Sequence, residues 1–203
     1  IGGPAGVYLG NGWVLTANHV IVVDPEFQSV IYPVVPGSVV QLENPDSSLA
    51  DLKVFRIDPS PNLGLLPIRA STPTTNTVVT YVARGLTRGA ATSWNGIDGY
   101  LWGTSTGMRW GTNKVTATGT PNNTLAFSSN FTQIPGGGST ANEAMGANGD
   151  SGGAAFIKNG TTWELAGVLT AIGPFQNQPA QTALYGNVTW TADLAQYRSQ
   201  LID

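Results

Sequence analysis

The sequence contains no cysteine and a single histidine, and charged residues make up only 10% of its 203 positions. Without cysteine the chain cannot form a disulfide, a thiol nucleophile, a zinc ribbon or an iron–sulfur cluster. With one histidine it cannot build a multi-histidine metal site, so we expect no metal and no cofactor. No apolar run reaches the roughly 18 residues that a membrane-spanning helix needs. We therefore expect no membrane association.

The charge balance also argues against nucleic acid as a partner. Nine Lys and Arg residues stand against twelve Asp and Glu residues, which gives a net charge of −3. Binding to nucleic acid through counterion release needs a basic surface, and this chain has few cations with which to build one. A composition poor in lysine and rich in threonine is typical of exported proteins. Residues 1–3, IGG, also indicate a processed product, so we expect a secreted protein, extracellular or periplasmic. Export together with the lack of cysteine favours a bacterial source.

Short β-strand patterns separated by turns fill most of the chain. Residues 7–9 and 13–16 are β-type runs on either side of Gly10-Asn11-Gly12, a strong hairpin signal. Similar runs recur to the end of the chain, which predicts a β-sandwich or β-barrel. Residues 59–76 contain four prolines and no clear period, which is typical of a connector. The only helical pattern is terminal, with Thr191 as its expected N-cap.

The most informative segment is residues 149–153, GDSGG. A serine between glycines can sit on a tight turn, with its Oγ exposed and the neighbouring N–H groups free to bind an oxyanion. Ser151 is therefore the candidate nucleophile, and the N–H groups of Gly149 and Ser151 are the candidate oxyanion hole. The alternative is a glycine-rich loop that contains serine by chance.

A serine nucleophile needs a general base within hydrogen-bonding reach, usually an imidazole. The only imidazole belongs to His19, which precedes Ser151 and so excludes the order of residues found in α/β-hydrolases. The first aspartate, Asp24, follows His19, which excludes the subtilisin order. The remaining order is His, Asp, Ser. A serine–lysine dyad stays open, although no lysine has the S-x-x-K spacing.

Two of these segments carry a family resemblance. Residues 12–20, GWVLTANHV, resemble the GWVLTAAH segment of chymotrypsin-like serine peptidases, and GDSGG is that family's nucleophile motif. Residues 165–170 resemble the strand that lines one wall of the family's specificity pocket, and residues 185–188 resemble its Y-x-x-V strand. The resemblance implies an all-β fold of two packed antiparallel six-stranded Greek-key barrels and a C-terminal α-helix, with the active site between the barrels.

The family pattern also sets the expected domain boundaries. We expect an N-terminal barrel over residues 1–63, a linker over 64–76, a C-terminal barrel over 77–190 and a helix over 191–203. Only 18 residues precede His19, fewer than the family usually has, so the first barrel could lack a strand.

The third catalytic residue is an aspartate that orients the histidine. The candidates along the chain are Asp24, Asp46, Asp51, Asp58 and Asp98. Residues 51–57, DLKVFRI, resemble the family's D-I/L-A-L-L segment, so we predict Asp51. A carboxylate there can accept the Nδ1–H of His19 and fix its tautomer. Asp46 is the runner-up, in a turn that would by itself explain an aspartate.

The resemblance also locates a substrate pocket. Met145 stands where trypsin-like members carry aspartate, and Ala171-Ile172 replaces a frequent Trp-Gly pair. Together with Thr170, these residues predict a pocket for small or modest apolar side chains on the acyl side of the cleaved bond, with no preference for Arg or Lys. Glu143 is a rival acidic determinant.

The residues before Ser151 suggest one more contact. Ile1-Gly2-Gly3 resembles the family's activation terminus, whose ammonium pairs with the aspartate before the nucleophile, here Asp150. If that pair does not form, a buried carboxylate needs another partner, such as an arginine or loop amides.

The predicted function is a monomeric serine endopeptidase that acts on polypeptide through an acyl-enzyme. One alternative is an esterase that uses the same triad. The other is a non-catalytic secreted β domain that binds sugar or a protein through tryptophans. Trp94, Trp102 and Trp110, which recur every eight residues, suggest such a surface.

Overall fold

The computed structural model describes residues 5–202. The fold of this part of the chain is almost entirely β, with one 3₁₀ turn at Pro121–Asn123 and one short helix, α1, at Arg198–Ile202. The strands are β1 (Val7–Gly10), β2 (Trp13–Thr16), β3 (Glu26–Phe27), β4 (Val30–Ile31), β5 (Val40–Glu43), β6 (Leu49–Arg56), β7 (Val78–Ala83), β8 (Leu86–Trp94), β9 (Ile97–Thr106), β10 (Arg109–Gly119), β11 (Ala126–Asn130), β12 (Ala154–Asn159), β13 (Thr162–Gly173), β14 (Thr182–Leu184) and β15 (Val188–Asp193). This part of the chain contains no helix that is both long and apolar enough to cross a membrane.

The first half of the chain is built around a four-stranded antiparallel sheet in the order β1-β2-β6-β5. The predicted hairpin joins β1 to β2, and Asn11 and Gly12 take the positive φ angles, 52° and 82°, that such a turn requires. Strands β3 and β4 form a separate two-stranded ribbon. The all-β fold predicted from the sequence is confirmed. Within residues 5–202, the first half forms this sheet and this ribbon, and the closed six-stranded barrel is in the second half.

The second half contains a closed six-stranded barrel in the order β10-β11-β15-β13-β12-β7. Its interior is filled by a cluster of buried side chains that includes Val79, Val115, Phe127 and Leu169. Val79 and Tyr81 of β7, like Ala155 and Ile157 of β12, are two positions apart in this cluster, as the period of two along a strand requires. Closure leaves the barrel without unpaired edges.

A long hairpin, which the sequence interpretation recognised only in part, lies between β7 and β10. Strands β8 and β9 turn back at Asn95 and Gly96, both with positive φ, and β14 pairs with β9 to complete a three-stranded sheet. This sheet adds a wall outside the barrel, next to the loop that contains Ser151.

The expected terminal helix over residues 191–203 is corrected by the structure. Thr191 lies in β15, where it pairs with Phe127 on one side and with Leu169 on the other. Barrel closure therefore uses the backbone groups that a helix N-terminus would have needed. The helix begins at Arg198. Before it, Leu194 and Tyr197 are fully buried in a core cluster with residues of the first sheet, which joins the two halves.

The segment between β6 and β7 contains no strand within the described part of the chain, but it is well packed. The Leu66 N–H donates to the Leu9 carbonyl at 3.0 Å, and the Arg69 guanidinium pairs with Glu164 at 2.9 Å. The connector thus crosses from the first sheet to the second barrel along a defined path.

Candidate active site

His19 lies three residues after β2, beside the strand that carries Asp51. Strands β2 and β6 are antiparallel, with Thr16 opposite Lys53, so the chain that leaves β2 continues alongside Asp51. The Asn18 N–H donates to the Asp51 carbonyl at 3.2 Å. Sheet register therefore brings together two residues that are 32 positions apart.

Both carboxylate oxygens of Asp51 contact His19. Oδ2 lies 2.7 Å from Nδ1 of the imidazole, and Oδ1 accepts the backbone N–H of His19 at 3.0 Å. The side chain of Asp51 is 12% exposed and that of His19 is 48% exposed. This geometry fixes the ring orientation and assigns the Nδ1 proton to the Asp51 bond, which leaves Nε2 as the free base.

The pKa of His19 is raised above its ordinary value, chiefly by the hydrogen bond that its ring donates to Asp51. Partial burial opposes the shift, as does the positive charge of Lys53. The Lys53 ammonium also donates to the Asn18 carbonyl at 2.8 Å, so it holds the residue next to the imidazole. Sequence reasoning missed Lys53, although a lysine at the alanine position of the family's D-I/L-A-L-L segment was a usable signal.

A second supporting contact holds Asp51 from the opposite side. The Asp51 N–H donates to the Thr124 hydroxyl oxygen at 2.7 Å, and Thr124 is itself fully buried. This contact joins the first sheet to the segment just before β11. Nothing in the sequence pattern around Thr124 marked it as part of the site.

Ser151 sits on a tight loop just before β12. Gly149 and Gly152, on either side of it, have φ angles of 90° and 84°, which only glycine adopts without strain. The Asp150 N–H donates to Ala147 at 3.1 Å, and the Gly152 N–H donates to Leu169 at 2.9 Å. By contrast, the N–H groups of Gly149 and Ser151 donate to no acceptor within residues 5–202. They are therefore available to a ligand.

Gly152 also explains how the serine loop approaches the histidine strand. A Cβ at this position would collide with the Ala5 carbonyl oxygen and with the Thr16 hydroxyl. Glycine thus allows the loop to pack directly against β2, three residues before His19.

The residue before Ser151 is held by loop amides. Asp150 accepts the N–H of Gly85 at 2.6 Å and the N–H of Ala147 at 2.8 Å. Burial raises the pKa of Asp150, and these two hydrogen bonds and the charge of Arg109 partly offset the rise. The suggested partner Ile1 lies outside the described residues. Loop amides, the alternative drawn from the sequence, do bind this carboxylate.

His19 and Ser151 line one cavity of about 210 Å³. Its wall also includes Thr170, Ala171 and Ile172, three of the four residues assigned to substrate binding. No hydrogen bond joins His19 to Ser151 within the described part of the chain. In proteins without bound substrate, the bond between nucleophile and base is commonly long or poorly aligned. The cavity can therefore hold a substrate group between an imidazole and a hydroxyl.

The fourth of these residues, Met145, lines a neighbouring cavity instead of the one that contains Ser151. Glu143, the rival acidic determinant, is occupied by its own loop. Its carboxylate accepts the N–H of Thr132 at 2.9 Å and both the N–H and the hydroxyl of Thr140. Little of its hydrogen-bonding capacity remains for a substrate cation.

Asp46, the runner-up for the third catalytic residue, stabilises its own turn. Asp46 accepts the N–H and the hydroxyl of Ser48 within its turn, which lowers its pKa.

The three tryptophans that were expected to form one binding surface do not all line the same cavity. Trp102 and Trp110 line the cavity that contains Met145, and Trp94 does not.

Comparison with known proteins agrees with this architecture. The family model described as Trypsin matches residues 3–194. No curated protein matches the sequence.

Similar solved structures include three proteins of distant sequence. The NS6 protease of murine norovirus is 13% identical, with a TM-score of 0.53 over 95% of this chain and 90% of that chain. Rv3671c from M. tuberculosis H37Rv is 14% identical, with a TM-score of 0.56 over 97% and 78%. Kallikrein-related peptidase 10, in complex with Zn²⁺, is 15% identical, with a TM-score of 0.56 over 97% and 86%.

These structures share one fold, but they do not all use the same type of nucleophile. The norovirus protein was studied as an inactive mutant in which a cysteine is replaced by alanine, and the mycobacterial protein as one in which a serine is replaced by alanine. The fold alone therefore does not identify the nucleophile, which must be inferred from the residues of each chain.

Proposed function

Because this chain belongs to the trypsin family, we propose that it is a serine endopeptidase with His19, Asp51 and Ser151 as its triad. The observation that carries the proposal is the Asp51-bonded imidazole of His19, which lines the same cavity as Ser151. A cysteine nucleophile is unavailable, since the sequence contains no cysteine.

The reaction follows from the geometry in two steps. In the first, Ser151 Oγ attacks the peptide carbonyl while Nε2 of His19 accepts the hydroxyl proton. The C–N bond then breaks, and the imidazolium returns that proton to the leaving amine. In the second step a water molecule, deprotonated by His19, hydrolyses the acyl-enzyme. Asp51 keeps the imidazole in the productive tautomer and stabilises its cation.

The tetrahedral intermediate of each step carries an oxyanion. The two N–H groups that donate to no described acceptor, those of Gly149 and Ser151, supply the donors for this charge. Donors that are already in place cost no reorganisation during the reaction, which is why such pairs contribute strongly to catalysis. The glycine conformations on both sides of Ser151 keep this loop in the required shape.

The proposed cleavage preference is for small or modest apolar residues on the acyl side. Ala171 and Ile172 line the wall of the Ser151 cavity, and the β-branched Ile172 narrows it. Among residues 5–202, the one acidic side chain that lines this cavity is Asp150. Glu143 is bound to its own loop, and Asp150 is bound to two amides.

A peptide panel that varies only at the acyl-side residue tests this preference. We expect Ala, Val or Leu peptides to have a higher kcat/KM than Arg or Lys peptides, by about tenfold or more, because a buried unpaired cation is costly. A higher kcat/KM for the Arg or Lys peptide would contradict the assignment of this pocket.

A fluorophosphonate probe tests the proposed nucleophile directly. We expect one covalent adduct, located on Ser151 by peptide mass spectrometry, because only an activated serine displaces the fluoride. Ser151→Ala should remove the adduct. Ser139 provides the control, because its half-buried hydroxyl donates to the Gly136 carbonyl within a turn. Ser139→Ala should leave labelling unchanged.

Two results of the probe experiment would contradict the proposal. An unlabelled, folded wild-type protein would favour the non-catalytic binding domain. Labelling that persists in Ser151→Ala would place the nucleophile elsewhere. An esterase and a peptidase form the same acyl-enzyme, so labelling of Ser151 does not distinguish them. The relative turnover of matched ester and amide substrates does.

We also propose, from its composition, that the protein is secreted.

A further inference from the structure

Lys53 is placed beside the catalytic pair by the same strand that carries Asp51. It lies two residues after Asp51 on β6, so the two side chains leave the strand on the same face. The half-buried Lys53 side chain donates from its ammonium to the carbonyl of Asn18 at 2.8 Å. Asn18 is the residue immediately before His19. The contact therefore fixes a positive charge within one residue of the imidazole.

The loop that carries the histidine does not depend on this lysine for its position. The Asn18 N–H donates to the Asp51 carbonyl at 3.2 Å, and the His19 N–H donates to Oδ1 of Asp51 at 3.0 Å. The Val20 N–H closes a turn with the Ala17 carbonyl at 3.1 Å. Because these three bonds hold the loop, the lysine charge can be removed without releasing the imidazole from its place.

Charges of both signs act on the imidazole. The hydrogen bond to Asp51 raises the pKa of His19, whereas the charge of Lys53 lowers it. Asp150 faces His19 across the cavity of about 210 Å³ and is itself bound to two amides. Within residues 5–202, Asp51 and Asp150 are the only other acidic or basic side chains that line the two cavities bordered by His19. Lys53 is thus the cation placed to offset two carboxylates.

We propose that Lys53 is a positioning residue that acts through His19: its fixed charge offsets that of Asp51 and keeps the imidazole neutral, and so able to accept a proton, at neutral pH. This inference rests on the proposed function, in which His19 is the general base. Asp51 orients the ring, but its carboxylate also favours the protonated ring, which cannot act as a base. A cation one residue away reduces that disadvantage and leaves the hydrogen bond in place.

The lysine is charged over the pH range in which the imidazole titrates. The ordinary pKa of lysine is about four units above that of histidine. Burial lowers the pKa of Lys53, and the charge of Asp51 opposes that change. The acid limb of the pH–rate profile is therefore recorded with the ammonium in place.

NMR titration of His19 tests the charge effect without any need for activity. Since His19 is the only histidine in the sequence, its ring Cε1–H signal is unambiguous. We expect the titration midpoint to move to higher pH in Lys53→Met, which removes the cation and keeps most of the length of the side chain. Lys53→Arg keeps the charge, so its midpoint should stay close to that of the wild type. Lys158→Met is the matched control, because Lys158 is an exposed lysine of β12 that packs over Trp163.

The pH dependence of peptide turnover tests the link to catalysis. At about pH 6 we expect Lys53→Met to lower kcat/KM by about two- to fourfold, the effect of one charge several ångströms away near the protein surface. At about pH 8.5 the loss should be less than about twofold, because the imidazole is then neutral in every variant. A lysine that served structure alone would lower kcat/KM equally at both pH values and leave the NMR midpoint in place. Lys53→Arg should restore the wild-type profile.

Several results would overturn the role of Lys53. These are a midpoint that stays in place or moves to lower pH in Lys53→Met, a Lys53→Arg variant that behaves like Lys53→Met, and an equal shift in Lys158→Met. Circular dichroism checks that each variant folds. If Lys53→Met does not fold, Lys53→Gln is a second neutral variant for the same comparison.

The two readouts also separate this inference from the proposed function. Labelling of Ser151 by the fluorophosphonate probe together with an unmoved midpoint would contradict the role of Lys53 and leave the triad standing. A shifted midpoint in a protein that neither reacts with the probe nor cleaves peptides would contradict the proposed function. In that case Lys53 would act on the charge of His19 and not on catalysis.

Discussion

Replacing His19 with alanine should lower the turnover of a peptide substrate by about 10⁶-fold, the scale seen when the base of a serine peptidase triad is removed. That loss corresponds to about 8 kcal/mol of activation free energy. The effect is large because the sequence offers no second imidazole. Without Nε2 of His19, the Ser151 hydroxyl has no base to accept its proton, and the leaving amine has no acid to return it.

Single-turnover assays on the variant and the wild type measure this loss, and fluorophosphonate labelling should fall with it. Ile21→Ala provides the control, because Ile21 lies two residues further on and its side chain is 77% exposed. We expect that variant to keep nearly full activity. A His19→Ala protein that folds and retains more than about one-hundredth of wild-type turnover would exclude His19 as the general base.

The sequence identified these candidate residues through constraints that are local or combinatorial. Gly149 and Gly152 mark a loop that only glycine can form, and the positive φ angles in the structure confirm that interpretation. With one histidine in the chain, the choice of base needed no knowledge of the fold. The contact between His19 and Asp51 was predicted from the family resemblance. In the structure, the register of β2 with β6 brings the two residues together.

The terminal segment was mispredicted because two patterns overlap there. Thr191 is a reasonable N-cap, and apolar residues follow it at helical spacing. The ladder with β11 and β13 takes precedence, because barrel closure satisfies the backbone of Thr191 on both sides. Tertiary pairing of this kind is invisible to a pattern that considers one segment at a time.

The supporting contacts of the site were also beyond the sequence pattern. Thr124 is 73 positions from Asp51, and Gly85 is 65 positions from Asp150. Each acts through a single hydrogen bond that depends on the final path of a loop. The long β8–β9 hairpin was likewise recognised only in part, because much of β8 is exposed and lacks a regular apolar alternation.

Replacing Asp51 with asparagine should lower turnover by about 10⁴-fold, a scale that we take from the triad of this family. The amide keeps the size of the carboxylate, but it has no negative charge. It also has one oxygen in place of the two that accept the Nδ1–H and the backbone N–H of His19. The imidazole then loses its productive tautomer, and its cation loses the negative charge that stabilises it. Asp46→Asn is the matched control, because Asp46 is engaged only with Ser48 in its own turn. We expect it to change turnover by less than about twofold.

The same substitution should move the acid limb of the pH–rate profile in a defined direction. His19 must be neutral to accept a proton, and its pKa is raised above the ordinary value of 6.5, mainly by the Asp51 hydrogen bond. Wild-type activity should therefore rise through a midpoint above 6.5. In Asp51→Asn only burial and the charge of Lys53 still act on the imidazole, and both lower its pKa. The acid limb should then move below 6.5. If it stayed where it is in the wild type while turnover fell, Asp51 would affect the reaction by some means other than the imidazole of His19.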